Sequence, residues 1–393
     1  MSAQKENAVP KQWAWQADGW LATPAITDDL TELAHALVCQ EQDLLTSMGE
    51  HVFQMVVAQA MAENLRASYA IEGEHLDEGT LRSSVIQQMN LDIQDWKVGN
   101  SKTRKEEAAV KAALALLNAP ADAPLTVETI CSIHAMMAQE DGCKWGALRS
   151  VNVGVRDANG TTVYVAPDGK DVARLMREFC DWWNMDRKAL PAPVGAALAH
   201  LFLVEIHPFE DGNGRMARMM LDKALADASG SVYRPYSIST VIEQNRGAYY
   251  RALDQFSQYG NVSAFVSLML KMQSTVLDDA QVRTENIRRL EEVVSHARAR
   301  GITISPVAEA MLKTMAMDVK RTNWNVFEAS RDIKNTGGED AWDVWSYLEQ
   351  EGIIKEGNIN YGFPAQRALP AHDTPNTPEP EQRPQPSFPR MGM

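Results

Sequence analysis

His207-Pro-Phe-Glu-Asp-Gly-Asn-Gly-Arg-Met-Ala-Arg218 is the stretch on which the reading of this chain turns. Before it, Val194–Ile206 is an apolar run that reads as a helix; after it, Gly214–Ala226 reads as another. Pro208 and Gly212 break the chain between them. A loop that opens into a helix N-terminus offers free backbone N–H groups to an anion. Gly212-Asn213-Gly214 lets the backbone turn sharply and approach a phosphate closely. Arg215 and Arg218 stand three apart, so they share one face of the new helix and can hold two phosphate groups. Asp211 is a hard oxygen ligand suited to Mg²⁺ beside those phosphates. His207, with an ordinary pKa of about 6.5, can take a proton from an attacking hydroxyl near neutral pH.

Base, metal ligand, anion nest and two arginines therefore fall within one short segment. The string resembles the signature of the Fic family, HPFx(D/E)GNGRxxR, at every defined position. That resemblance implies an all-α bundle and AMP transfer from ATP to a Ser, Thr or Tyr hydroxyl of a protein, with pyrophosphate released. By motif position, it implies that His207 is the general base, Phe209 a core anchor and Asp211 the Mg²⁺ ligand. Gly212, Asn213 and Gly214 would meet the phosphates, and Arg215 and Arg218 would hold the β- and γ-phosphates. The kinase-like branch of the family carries Lys at the position of Gly214, so glycine there favours AMP transfer over phosphate transfer. The motif leaves the position of Glu210 free.

Upstream of this string, strand signals are rare and concentrated. Ser150-Val-Asn-Val-Gly-Val and Thr161-Thr-Val-Tyr-Val flank Asn159-Gly160, a strong hairpin turn signal. A lone hairpin is not stable in water and must lie on the helical body or receive a partner strand. The resemblance implies a β-hairpin flap that pairs with the target by strand addition. Thr162, Val163, Tyr164 and Val165 are then the expected target contacts. Downstream, Asn245-Arg-Gly-Ala-Tyr-Tyr250 resembles the family segment near the adenine, with Tyr249 and Tyr250 as candidates to touch the base.

Further upstream, Glu50–Glu72 reads as one long helix stopped by Gly73. Its end, Ser68-Tyr-Ala-Ile-Glu72-Gly73, matches the family's inhibitory motif (S/T)xxxE(G/N). Ser68 and Glu72 lie four apart on one helical face. By resemblance, Glu72 pairs with Arg218 and denies it to the γ-phosphate. A hydrogen bond to a charged group contributes about 1.5–3 kcal/mol, so the implied brake is strong but releasable. AMP removal by the same site, with Glu72 placing a water, is the alternative that the sequence leaves open.

The remainder reads as helices at Thr27–Leu45, Gly79–Leu91, Lys102–Leu117, Val127–Met137, Asp171–Asn184, Val241–Tyr259 and Val262–Arg300. Short helices near Pro306–Met317, Val326–Lys334 and Asp340–Glu351 lead into a small hairpin at 352–361, a winged-helix-like pattern. The expected organisation is an N-terminal helical region with the inhibitory helix (1–95), a Fic catalytic domain (96–285), a winged-helix-like module (286–365) and a Pro-rich disordered tail (366–393). Trp13, Trp15 and Trp20 read as packed anchors of a small N-terminal unit. This layout resembles bacterial Fic proteins.

Composition bounds the alternatives. The 393 residues include 38 basic and 52 acidic, a net charge of −14, with 45% apolar. That balance belongs to ordinary globular protein and argues against a nucleic-acid or anionic-membrane footprint. A DNA-binding regulator acting through 302–363 is the competing reading. That segment carries six basic against ten acidic residues, and Asp340–Glu351 has no Lys or Arg, so DNA is disfavoured as a partner. Apolar runs are too short for a membrane helix, and the first 16 residues show no signal-peptide pattern. Four scattered cysteines, Cys39, Cys131, Cys143 and Cys180, fit reduced thiols, so the expected location is cytoplasmic. The expected partners are ATP and an unidentified target protein, with self-modification and a homodimer as further expectations from the family.

Overall fold

The computed structural model describes residues 12–91, 93, 104–138, 142–156, 162–321, 323–330, 333 and 339–360. The turn expected at Asn159-Gly160, the boundary at 95/96 and the Pro-rich tail lie outside the described residues.

A 3-10 turn at Ala14–Gln16 precedes α1 (Asp28–Ser47), whose first-turn aspartates favour the positive end of the helix dipole. α2 (Glu50–Ile71) is buried over most of its length, and Gly73 closes it at φ +81°. α3 (Glu78–Gln88) starts where the Asp77 carboxylate accepts from Thr80 N. α4 (Arg104–Leu117) and α5 (Val127–Met136) follow, the latter capped by Thr126. β1 (Gly154–Arg156) and β2 (Thr162–Val165) form an antiparallel hairpin, with Gly154 opposite Val165 and Val155 opposite Tyr164. The first strand, expected from Ser150, begins only at Gly154. Arg149 binds Val151 O, and the Asn152 amide binds Asp168 and Gly169 N, so 151–152 are held as loop.

α6 (Val172–Asn184), α7 (Ala192–Ile206) and α8 (Asn213–Ser229) come next. From Pro193 to Ile206 every residue of α7 is buried, including His200 and Glu205. A helix apolar on all sides must be surrounded, and α7 packs on α8, α11 (Val262–Ala299), α1 and α6. The single helix expected at 241–259 is two, α9 (Ile238–Gln244) and α10 (Arg246–Tyr259). The break is at Asn245, whose side chain donates to Val241 O at 2.9 Å and competes with the backbone ladder.

α12 (Pro306–Met317), α13 (Val326–Ser330), α14 (Ala341–Gln350) and a hairpin of β3 (Ile354–Lys355) with β4 (Asn358–Ile359) are the last elements among the described residues. α11 runs unbroken through the boundary expected at 285/286, and one apolar core extends from Leu21 to Ile354. Arg283 of α11 ties both sides together, donating to Met317 O and to the Glu63 carboxylate of α2. Among the described residues no helix is long and apolar enough to cross a membrane. The four cysteines are free.

Candidate active site

α7 ends at His207, which closes the helix in the left-handed region (φ +51°, ψ 59°). A non-glycine residue there is sparsely populated and holds only where its surroundings enforce it. The enforcing group is Arg149. Its Nε donates to His207 O at 2.6 Å, its Nη2 to Ile206 O and Pro167 O, and its Nη1 to Val151 O. The Arg149 backbone N–H donates to Pro208 O at 2.9 Å. One buried guanidinium thus clamps the end of α7 to the roots of the hairpin. The His207 ring is also buried, with Nδ1 set 3.3 Å from Val204 O. Nδ1–H donates there, which leaves the lone pair on Nε2. Burial, reinforced by the Arg149 charge, pushes His207 down to about 4, so the imidazole is neutral at pH 7.

The loop beyond it is built on stacked rings. Phe209 is fully buried and lies on His134 at 3.7 Å, and Trp145 covers the other region of that imidazole at 4.7 Å. His134 Nδ1 accepts from Gly146 N, so Nε2–H donates to Asp211 O at 2.9 Å. Burial pushes His134 down to about 4 as well, which keeps it neutral in this role. Gly212 starts α8 at φ +77°, and a Cβ there would press on His134 and Trp145 at 3.0 Å. Asn213, expected to meet phosphate within the 212–214 nest, uses its side chain inside the loop. Its amide accepts from Phe209 N at 2.9 Å and donates to Phe209 O at 3.0 Å, so it staples the loop shut. Asp211 accepts from Gly212 N and lies 3.0 Å from Arg215 Nη2.

Both arginines of α8 are almost wholly buried, and both meet the N-terminal region. Arg218 donates from Nε to Ser68 Oγ (2.8 Å) and from Nη2 to Ser68 O (2.8 Å) and Glu72 Oε1 (2.7 Å). Ser68 and Glu72 thus lie at the end of α2 against Arg218 of α8, and Gly73 closes the helix after them. A Cβ on Gly214 would collide with Glu72 Oε1. A side chain at that position and the Glu72–Arg218 pair exclude each other. Arg215 meets a second acid, Glu74, with Nη1 2.8 Å from its carboxylate, and lies between the Tyr69 and Trp145 rings at 5.1 and 5.2 Å. Lys105 also pairs with Glu74.

The aromatic candidates are placed differently from expectation. Tyr164 is not a free target contact: its ring is buried against Trp13, and its hydroxyl donates to Glu205 O. It anchors the hairpin on α7, while Thr162, Val163 and Val165 stay partly exposed. Tyr249 is buried in the core, sharing a 2.7 Å hydrogen bond with His200. Its hydroxyl is engaged behind Arg218 and is not presented to a base. Tyr250, tilted beside it, is half-buried.

Four residues near the site escape a sequence reading: Arg149, His134, Glu74 and Glu205. Burial pushes Glu205 up to about 8, so this carboxyl two residues before His207 is largely protonated at neutral pH. Only Glu74 had a local signal, its place two residues after Glu72.

The site's neighbourhood is matched in known proteins. Residues 124–225 match the model of the Fic/DOC family, and residues 13–91 match a domain of unknown function (DUF4172). The chain is 29% identical over 263 residues to a protein adenylyltransferase Fic of Aedes aegypti, covering 65% of this chain and 49% of the relative. It is 30% identical over 224 residues to one from Drosophila willistoni, covering 56% and 41%. It spans about half the length of the curated relatives it matches. The fold is that of a Fic family protein from Desulfovibrio desulfuricans (TM-score 0.50, 18% identity, covering 84% of this chain and 92% of that one). A Fic domain-containing signalling protein from Bacteroides thetaiotaomicron gives TM-score 0.51 at 20% identity, covering 70% and 98%. The signature loop assembled as described thus lies inside the segment, residues 124–225, that matches the Fic/DOC family.

Proposed function

We propose that this protein transfers AMP from ATP to a hydroxyl of a protein target and that its N-terminal region holds the reaction in check. The observation that carries this reading is a neutral His207, its Nδ1 tied back to Val204 O, at the end of α7 and followed by the start of α8 with its buried Arg215 and Arg218. The name of the relatives, protein adenylyltransferase, agrees with it.

In the proposed reaction His207 Nε2 takes the proton as a target hydroxyl oxygen attacks the α-phosphorus. The new O–P bond forms as the bond to the bridging oxygen breaks, and pyrophosphate leaves with the electron pair. The backbone N–H groups of 212–214 receive phosphate oxygens, and Arg215 and Arg218 carry the charge of the leaving group. Mg²⁺ fits the donor set in one way. Among the described residues no group of three or more His, Cys, Asp and Glu side chains gathers to hold a metal, so a dedicated cage is not the mode. A single carboxylate, Asp211, together with substrate phosphates is how Mg²⁺ is commonly held. When bound, the ion would neutralise phosphate charge.

Arg218 cannot serve the γ-phosphate while Ser68 and Glu72 occupy its guanidinium. The proposed brake is that ion pair. The test uses ATP labelled at the α- or the γ-phosphate with Glu72→Gly protein, alone and in lysate. Label retained on protein only from the α-phosphate supports AMP transfer, and Glu72→Gly/His207→Ala should retain none. Retention from the γ-phosphate would replace AMP transfer with phosphate transfer.

A further inference from the structure

The hairpin has a free edge, and the chain's own N-terminal turn sits on it. Ala166 N donates to Val153 O, and Val155 stands opposite Tyr164, so residues 164 and 166 direct their backbone groups toward β1. By alternation, the backbone groups of Val165 point outward, to the edge where a further strand would add, while the register shift beyond Val155 leaves Val163 in a bulge. The Val165 carbonyl is not free. The indole Nε1–H of Trp15 donates to it at 2.7 Å.

The turn that carries Trp15 is firmly made. Trp13 N donates to Gln16 Oε1 at 2.6 Å, and Gln16 N donates back to Trp13 O at 2.9 Å. The Trp13 ring is buried edge-on against Tyr164 at 5.3 Å, and with Ala166 they form a small apolar cluster apart from the main core. The turn also rests on α10.

The hairpin does not need the Trp15 bond to stay in place. Tyr164 OH on Glu205 O, Trp13 on Tyr164, and Arg149 on Val151 O and Pro167 O all hold it from other sides. The Trp15 contact differs in kind. It uses an outward carbonyl, the group that an incoming strand needs, and supplies the N–H that the strand would supply. A single neutral hydrogen bond on a partly exposed ring opens easily.

We propose that Trp15 occupies the strand-pairing edge of the hairpin, so that its indole is a second restraint, on the acceptor side, which a protein segment docking as a β-strand must displace. This deepens the AMP-transfer reading and rests on it for the role of the docked segment. The partner it fits is an extended chain recognised through its backbone, with β-branched residues beside Val163 and Val165.

The experiment measures strand docking directly and without ATP. The probe is a fluorescent, lysine-flanked peptide of alternating Thr and Val, and the readout is anisotropy with full-length protein. Trp15→Phe keeps the ring and removes the N–H. It should bind the probe about three- to tenfold more tightly than wild type, the range that one neutral hydrogen bond is worth. Trp15→Leu, which leaves Trp13 seated, should move binding the same way. Equal or weaker binding by both variants, or no binding by any form, overturns the proposal. The two readings fail separately. Tighter probe binding with a catalytically silent Glu72→Gly protein would keep the edge and remove the reaction. Active Glu72→Gly protein with unchanged probe binding would do the reverse.

Discussion

The phosphate side and the acceptor side of this site are both covered by the first 75 residues, but by different forces. On the phosphate side, carboxylates meet buried guanidiniums: the buried Glu72 on Arg218 and the partly exposed Glu74 on Arg215. On the acceptor side, a partly exposed indole makes one neutral hydrogen bond to a strand edge. Breaking a buried ion pair from one side strands a charge, whereas a neutral bond at a surface is readily exchanged for water. In the proposed reaction, one segment would set two thresholds, a high one for productive ATP and a low one for the target.

The largest effect should come from the high threshold. Glu72→Gly is expected to raise AMP transfer about 10- to 100-fold in an intact-mass assay, the equivalent of one charged hydrogen bond. A rise no larger than that of a surface carboxylate variant would dissolve the contrast. Next comes Gly214→Ala, whose Cβ meets Glu72 Oε1. It should lower stability by about 1–3 kcal/mol in thermal melts, and Glu72→Gly should restore most of the loss. Failure of that rescue would mean the crowding lies elsewhere. Smaller again is Glu74→Gln. Its carboxylate is partly solvated and shared with Lys105, so in the Glu72→Gly background it should raise transfer only about two- to fivefold.

The last prediction concerns pH. His207 sits at about 4 because burial and Arg149 both disfavour its charged form. As the proposed base it is therefore available throughout the neutral range and is lost only as pH falls toward about 4. A rate profile of the released enzyme should show no acid limb near 6.5. A limb at 6.5 would place His207 in water. The same sign applies to folding. His134 and His207 at about 4 and His200 at about 3 stay neutral while the unfolded chain takes up protons near 6.5. Their contribution to stability falls as pH drops through that window.

What the sequence made legible follows from distance along the chain. The string from His207 to Arg218 is a local motif, and its turn glycine, helix start and arginine face are all encoded within it. Ser68 to Gly73 is equally local, and the family resemblance alone joined Glu72 to Arg218. The clamps were hidden because each joins remote segments: Arg149 to His207 across 58 residues, His134 to Asp211 across 77, Trp15 to Val165 across 150. Tyr164 and Tyr249 were misplaced for a related reason. Aromatic residues in a motif segment serve a ligand or the core equally well, and burial against Trp13 and His200 decides for the core. The match of the Asn213 amide to the two backbone groups of Phe209 is not visible in the motif, which speaks only for the backbone turn at 212–214.

The central claim is that the end of α2 withholds Arg218 from the substrate. The most direct measurement is AMP incorporation by intact mass, at fixed Mg-ATP, in wild type, Glu72→Gly and Glu72→Gly/Arg218→Ala. The account predicts a low wild-type rate, a rate about 10- to 100-fold higher in Glu72→Gly, and collapse of that gain when Arg218 is also removed. Equal rates in the first two proteins, or a gain that survives the loss of Arg218, would contradict it.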